Sequence, residues 1–423
     1  MGIKMIAHLR NISGTAILAL LGTTTLASAD VTVEFWHSFG GASGEALAQI
    51  IEKFEAENAD IKIDAQEIGN YNDIVTKLQA AIPAQRAPDA VIMEVTRYGL
   101  FADRGVLKDL TPYVDADPLK DDLFNFAREV GVYQGKNYIV PFNSSTPVLY
   151  FNKDIFERAG LSEDTPLGTY EDLLAAAQKI TDTLGDEGIT GIAAPGQFAR
   201  WGLVMGNDSD LIDSVSGEIM LDAPNTIEAY EFMASLVHEH EVASPDGVTK
   251  ENNGRDAFLA GRVGMMINST GNYGRASSAL GEDVAVVPMP CNKVCAVPIG
   301  GAGIGILSTS DSEVQDAAFK FISFAASPES NALWFSATGY MPINQKTAEQ
   351  PLAIEALAEK PGIDVAINQL DVARGRPRPP VVTWMRASEY DLWQAMALGQ
   401  REVSDVLTEF AERTRAEAER LKR

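Results

Sequence analysis

Histidine and cysteine are scarce in this chain and positive charge is in deficit, and each shortage closes off a class of function. Only four histidines occur in 423 residues, whereas catalysis outside the cytoplasm commonly draws on a histidine, a metal cluster or an activated serine. His8 falls in a leader segment, and His37 stands alone and reads as a hydrogen-bonded pocket or core residue. His238 and His240 are two apart on a helical pattern, so they point in different directions and do not share a metal. No GxSxG elbow and no HExxH pair is present. Carboxylates abound, with 59 Asp and Glu, yet nothing selects two of them as the acid and nucleophile of a glycosidase. No catalytic residue, cofactor or metal site is assigned.

The 34 Lys and Arg leave a formal net charge of -25. Such a surface repels nucleic acid and anionic lipid heads and keeps a secreted protein soluble. Long apolar runs are also missing. The stretch from about Thr15 to Leu26 is too short to cross a bilayer core of roughly 30 Å, so no stable membrane insertion is expected. With Lys4 and Arg10 before it and Ala27-Ser28-Ala29 after it, residues 1–29 read as a cleaved secretory leader. Asp30, rather than a cysteine, follows the cut, which points to a free periplasmic protein without a lipid anchor. The two cysteines, Cys291 and Cys295 in PCNKVC, fit a small disulfide-closed loop in an oxidising compartment better than a zinc site.

Residues 30–423 are too many for one core, so two lobes are expected. Val31 to Phe35 reads as a strand, and Leu47, Ile50, Ile51 and Phe54 follow at helical spacing. Ile61 and Ile63 mark a second strand, Ile74 to Ile82 a second helix, and Ala90 to Met93 a third strand. This alternation predicts a mostly parallel sheet with helices on both faces, and sheets of that kind bind ligands beyond the carboxyl ends of their strands. Trp36 and His37 after the first strand, Tyr71 before the second helix and Glu94 at the end of the third strand fall in that region. PFNSSTPVLYFNKDIF suits a passage between lobes, and helices are expected from Tyr170 to about Leu184 and from Ile227 to about His240. The glycines from Gly300 to Gly305 lead into a strand, not a helix, so a dinucleotide cradle is a poor reading; close backbone approach to a ligand and a tight interdomain turn both remain open. Val403, Val406, Leu407 and Phe410 mark a closing amphipathic helix whose charged end is solvated.

FWHS, GNY around Tyr71, VIMEV around Glu94, PFNSSTPVLYFNKDIFERAGL, GGAGI and SFAASPESNALWFSATGYMPI together resemble the extracellular solute-binding protein family 1, most closely its glycerol-3-phosphate-binding members. The resemblance implies an α/β, two-lobed periplasmic binding protein fold with hinge crossovers and a ligand cleft between lobes. It places residues 30–145 and about 299–345 in the N-terminal lobe, and about 146–298 and 346–423 in the C-terminal lobe. It also implies delivery of the ligand to the permease subunits of an ABC importer driven by a cytoplasmic ATPase. The ligand contacts carried over are Tyr71, Glu94, Ser145, Ser269 in INSTG, Gly301 in IGGA, Tyr340 in TGYMP and Arg386 in TWMRAS. By residue type alone Glu94 is a solvated strand end, Tyr340 a core aromatic and Arg386 a surface cation; the motifs reverse those readings.

On that resemblance the ligand is sn-glycerol 3-phosphate or a glycerophosphodiester. Arg386, the two serine hydroxyls and the Gly301 amide are expected to donate to phosphate. Glu94 is expected to accept from glycerol hydroxyls at the opposite end, with Tyr71 and Tyr340 as walls. Tyr170 in GTYEDL stands where the nearest relatives carry a tryptophan, and Gly185 to Asp210 is short and has Trp201 as its only tryptophan. These departures leave the choice between monoester and diester open. A sugar or oligosaccharide ligand of a carbohydrate importer is the alternative.

Overall fold

The computed structural model describes residues 31–213, 216–248 and 253–422. The expected leader, residues 1–29, lies outside the described residues. Nine strands build the two principal sheets: β1 (Val31–His37), β2 (Ile61–Glu67), β3 (Ala90–Glu94), β4 (Val140–Ser145), β5 (Pro147–Asn152), β6 (Thr190–Ile192), β7 (Val263–Ser269), β8 (Val284–Val287) and β9 (Gly300–Ile306). The first sheet has the order β2-β1-β3-β9-β4 and the second β8-β5-β7-β6.

β1, β2, β3 and β4 run in the same direction, and β9, antiparallel to both β3 and β4, is the one reversed strand of the first sheet. The sheet is mostly parallel by direction, as expected, with β9 as its one antiparallel strand. A strand reached through a helix on the same sheet must return parallel, whereas β9 arrives from the second sheet and enters from the opposite end. β1 also runs further than expected and includes Trp36 and His37. His37 is a buried core residue whose Nδ1 accepts from the Phe39 amide at 3.2 Å, and burial lowers its pKa to about 4, so the ring is neutral.

The first core forms where Val33, Phe35 and Ile92 of the sheet meet Leu47, Ile50 and Phe54 from one helix, Ile74 and Leu78 from another, and Phe321 and Ile322 from the helix Ser312–Ala325. Their spacing of three and four residues puts them on one helical face. A second core joins Tyr170, Leu173, Ala177 and Ile180 to Trp201, Tyr230, Trp393, Leu407 and Phe410. The helix Tyr170–Leu184 starts where expected because Thr169 and Asp172 form a reciprocal capping box. Val148, Tyr150, Met266 and Phe335 form a third cluster on the second sheet.

Chain crossings set the geometry between the sheets. β4 runs into β5 through Thr146 alone, and the segment after Val297–Pro298 returns to the first sheet as β9. A third segment, Ala373–Arg374, pairs in parallel with Val297–Pro298 before the helix Val381–Ala397. Cys291 and Cys295 are joined by a disulfide with a Cα–Cα distance of 4.9 Å. No helix among the described residues is long and apolar enough to cross a membrane.

Candidate functional site

The junction between the sheets gathers strand ends. Glu94 closes β3, Ser145 closes β4, Ser269 closes β7, and Gly300 and Gly301 open β9. Register fixes their neighbourhood: Ala302 is opposite Glu94, Gly300 opposite Ser145 and Gly301 opposite Ser144. Gly301 has φ +116°, and a Cβ there would sit 2.3 Å from the Asn143 carbonyl oxygen, so only glycine fits. Its carbonyl accepts from the Val95 amide at 3.2 Å.

Tyr71 is the first residue of the helix Tyr71–Ala81, not the residue before it. Asn70 and Asp73 cap that helix reciprocally, Asn70 Oδ1 accepting from the Asn72 amide at 2.8 Å and Asp73 Oδ2 from the Asn70 amide at 2.9 Å. The cap aims the Tyr71 hydroxyl inward, against those of Tyr340 and Ser38. Burial raises the Tyr71 hydroxyl well above its ordinary pKa, and Tyr340 and Glu94 add to the rise. Tyr340 stacks on Trp334 at 5.8 Å, interacts with the Ser269 hydroxyl, and lies so close to Gly271 that a Cβ there would be 2.2 Å from its ring. Tyr71, Tyr340 and Ser269 thus bring their hydroxyls together at the junction. Ser269 also accepts from the Gly271 amide at 3.2 Å.

Glu94 is 7% exposed and faces three guanidinium groups. Arg376 Nη2 donates to its Oε1, Arg386 Nη1 lies 3.5 Å from the same oxygen, and Arg97 Nε lies 3.7 Å from Oε2. Thr96 donates to Oε2 from its hydroxyl at 2.5 Å and from its amide at 3.1 Å. Burial disfavours the carboxylate, but Arg376, Arg386, Arg97 and the Thr96 hydroxyl outweigh it and hold its pKa at about 2. The expected separation of Glu94 and Arg386 to opposite ends of a ligand is not what the structure shows. They are in ionic contact, because the strand end and the helix Val381–Ala397 meet directly.

Three further residues shape the cluster without having been legible in the motifs. Arg376, 4% exposed, donates Nε to the Ile299 carbonyl at 3.0 Å and lies over the rings of Phe198 and Trp201, each at 5.0 Å. Burial and the neighbouring Arg386 pull its pKa down to about 10 against the pull of Glu94. Gln197 accepts from Arg386 Nε at 2.8 Å and donates to the Arg386 carbonyl at 2.7 Å. Trp201 also lies under Arg386 at 5.8 Å and donates to Asp210 at 2.7 Å. The only sequence signal for Arg376 was its place in the RGRPRPP run, which by composition reads as a solvated basic segment.

A cavity of about 770 Å³ opens beside this cluster, with Asn70, Thr76 and Arg97 on one side and Gln197, Arg386 and Tyr390 on the other. Among the seven carried-over residues Arg386 alone lines it; Glu94, Ser145 and Gly301 are buried at the junction, and Tyr71, Ser269 and Tyr340 are half-buried. No group of three or more His, Cys, Asp or Glu able to hold a metal ion occurs among the described residues.

A family model described as bacterial extracellular solute-binding protein matches residues 49–362. The chain belongs to that family. This solute-binding protein is 28% identical over 373 residues to the sn-glycerol-3-phosphate-binding periplasmic protein UgpB of Escherichia coli strain K12, covering 84% of this chain and 83% of that protein. Its fold matches UgpB from Mycobacterium tuberculosis in complex with glycerophosphocholine, with a TM-score of 0.82, 23% identity, and 93% and 99% of the two chains covered. It equally matches the ABC substrate-binding protein Lmo0181 from Listeria monocytogenes in complex with cycloalternan, with a TM-score of 0.82, 24% identity, and 91% and 98% covered. The two-lobed fold is shared, and the protein is a substrate-binding component of an ABC importer rather than a member of an enzyme family. Because the same fold carries a phosphodiester in one neighbour and a cyclic sugar in another, the ligand has to be argued from the site.

Proposed function

We propose that this solute-binding protein captures sn-glycerol 3-phosphate or a glycerophosphodiester in the periplasm and delivers it to the permease of its importer. One observation carries the reading: three buried guanidinium groups, those of Arg97, Arg376 and Arg386, surround a single carboxylate, that of Glu94. Burying unbalanced charge is expensive, and even with Asp210, whose carboxylate also attracts Arg376, the three arginines leave a positive surplus, opposite in sign to the chain's net charge of -25. An anion at the junction compensates it. Guanidinium suits phosphate because its planar fork presents two donors to two oxygens. A neutral oligosaccharide offers no such compensation.

The glycerol end is assigned to the grouped hydroxyls of Tyr71, Tyr340 and Ser269, with Ser145 and the backbone at Gly301 beside them. Glu94 holds the arginines and reaches the ligand's hydroxyls only with its remaining acceptor capacity. Family membership and the similarity to periplasmic relatives support export and hinge-like closure of the two lobes around the ligand.

The test is calorimetric titration of protein unfolded and refolded to free it of carried-over ligand, using glycerol 3-phosphate, glycerophosphocholine, glycerol, phosphate and maltose. Tight one-to-one binding of either phosphorylated glycerol compound, with none for glycerol or maltose, supports the reading. Binding of maltose alone would assign the protein to a carbohydrate importer.

A further inference from the structure

We infer that Arg376 is itself a ligand-binding residue, forming with Arg386 a two-guanidinium clamp on one tetrahedral anionic group; this rests on the phosphate reading above. Arg376 spends Nε on the Ile299 carbonyl and Nη2 on Glu94, while its Nη1 is buried and makes no hydrogen bond within the protein. Arg386 spends Nε on Gln197, and its Nη1 is likewise buried and without a hydrogen bond, 3.5 Å from the Glu94 oxygen that Arg376 holds. Both guanidinium groups therefore contact one carboxylate oxygen, each keeps a buried Nη1 without a hydrogen bond, and each lies over Trp201.

A buried charged donor left unbonded costs the desolvation of that group, and structural duty toward Glu94 does not account for it. A pair of Nη1 groups meeting one phosphate does. The geometry also brings the two donors from different sides. Arg378, two residues on, is tied to the first lobe through the carbonyls of Glu129 and Val132, each at 2.7 Å, while Pro377, Pro379 and Pro380 stiffen the segment. Arg386 comes from the helix Val381–Ala397, which packs in the second core through Val382, Met385 and Trp393. The like charges of Arg376 and Arg386 repel, and an anion between them converts the repulsion into two attractions.

The experiment compares the wild-type protein with Glu94→Gln, Arg376→Gln, Arg376→Lys and the double variant Glu94→Gln/Arg376→Gln, titrated with glycerol 3-phosphate and with inorganic phosphate at fixed salt. Arg376→Gln is expected to weaken glycerol 3-phosphate at least about 30-fold, as for loss of one partner of a buried charge pair. Arg376→Lys, which keeps the charge but not the fork, should fall between. The double variant removes both members of the ion pair and decides the question even if the single variant folds poorly. Affinity in the double variant within about threefold of that in Glu94→Gln alone would show that Arg376 is only a counter-ion, and would overturn the inference while leaving the phosphate reading intact. Wild-type protein that binds neither phosphorylated glycerol compound would overturn the phosphate reading itself.

Discussion

Glu94→Gln keeps the volume of the side chain and removes the one carboxylate in contact with Arg97, Arg376 and Arg386. Its effect on stability can be worked from the site. The carboxyl titrates at about 2 in the fold against an ordinary value of 4.5. At about 1.4 kcal/mol per pKa unit, that gap corresponds to roughly 3 kcal/mol of stability carried by the charge at neutral pH. Because the folded value is depressed, the contribution is fully present above about pH 4.5 and is lost as pH falls toward 2. Urea unfolding of ligand-free wild type and variant should therefore show a gap of roughly 3 kcal/mol that is flat from about pH 5 to 8 and shrinks below about pH 4.5. A variant as stable as wild type at neutral pH, or a gap that persists undiminished at about pH 3, would refute the claim that the three arginines depend on this charge.

Arg386→Ala should cost about 2 to 5 kcal/mol of glycerol 3-phosphate affinity by calorimetry, since it removes a buried charge partner; wild-type affinity would take Arg386 out of the site. Gly301→Ala should lower stability by more than about 2 kcal/mol in thermal unfolding, because the left-handed backbone strain adds to a clash with the Asn143 carbonyl oxygen, at 2.3 Å from the new Cβ. Replacing Cys291 and Cys295 together by serine should cost only about 2 kcal/mol, the value for closing so short a loop, and should leave ligand affinity unchanged. A large loss of affinity would tie that loop to the site.

Local pattern made much of the fold legible. The strand and helix alternation from Val31 to Glu94 follows periodicity and caps that operate within a few residues, and the same holds for the helix Tyr170–Leu184. The direction of β9 was not legible, because nothing in GGAGIGI encodes which end of the sheet the chain enters; that is set by its passage through the second lobe. The motif residues locate the junction, yet motif and residue type misplace the partner of Glu94. Arg376 meets the Ile299 carbonyl from 77 residues away and Glu94 from 282 residues away. No window along the chain contains either contact, so a basic, proline-rich run with a solvated composition conceals a buried cation.

That concealed cation links stability to ligand capture. Glu94 is stabilised as an anion by its neighbours, but Arg376 is destabilised as a cation, with a pKa of about 10 against an ordinary 12.5. Its charge therefore costs stability at neutral pH, opposite in sign to what Glu94 contributes. The ligand-free junction thus holds an anion that its neighbours favour beside a cation that they do not. A bound anion removes the cost on Arg376 while leaving the Glu94 contacts in place, so the free energy of unfolding should rise with ligand as the binding linkage requires. A protein that filled the junction with another carboxylate in place of a hydroxyl or amide would gain stability at once and lose the reason to bind phosphate. The imbalance around Glu94 is thus the part of the fold in which stability has been given up for affinity.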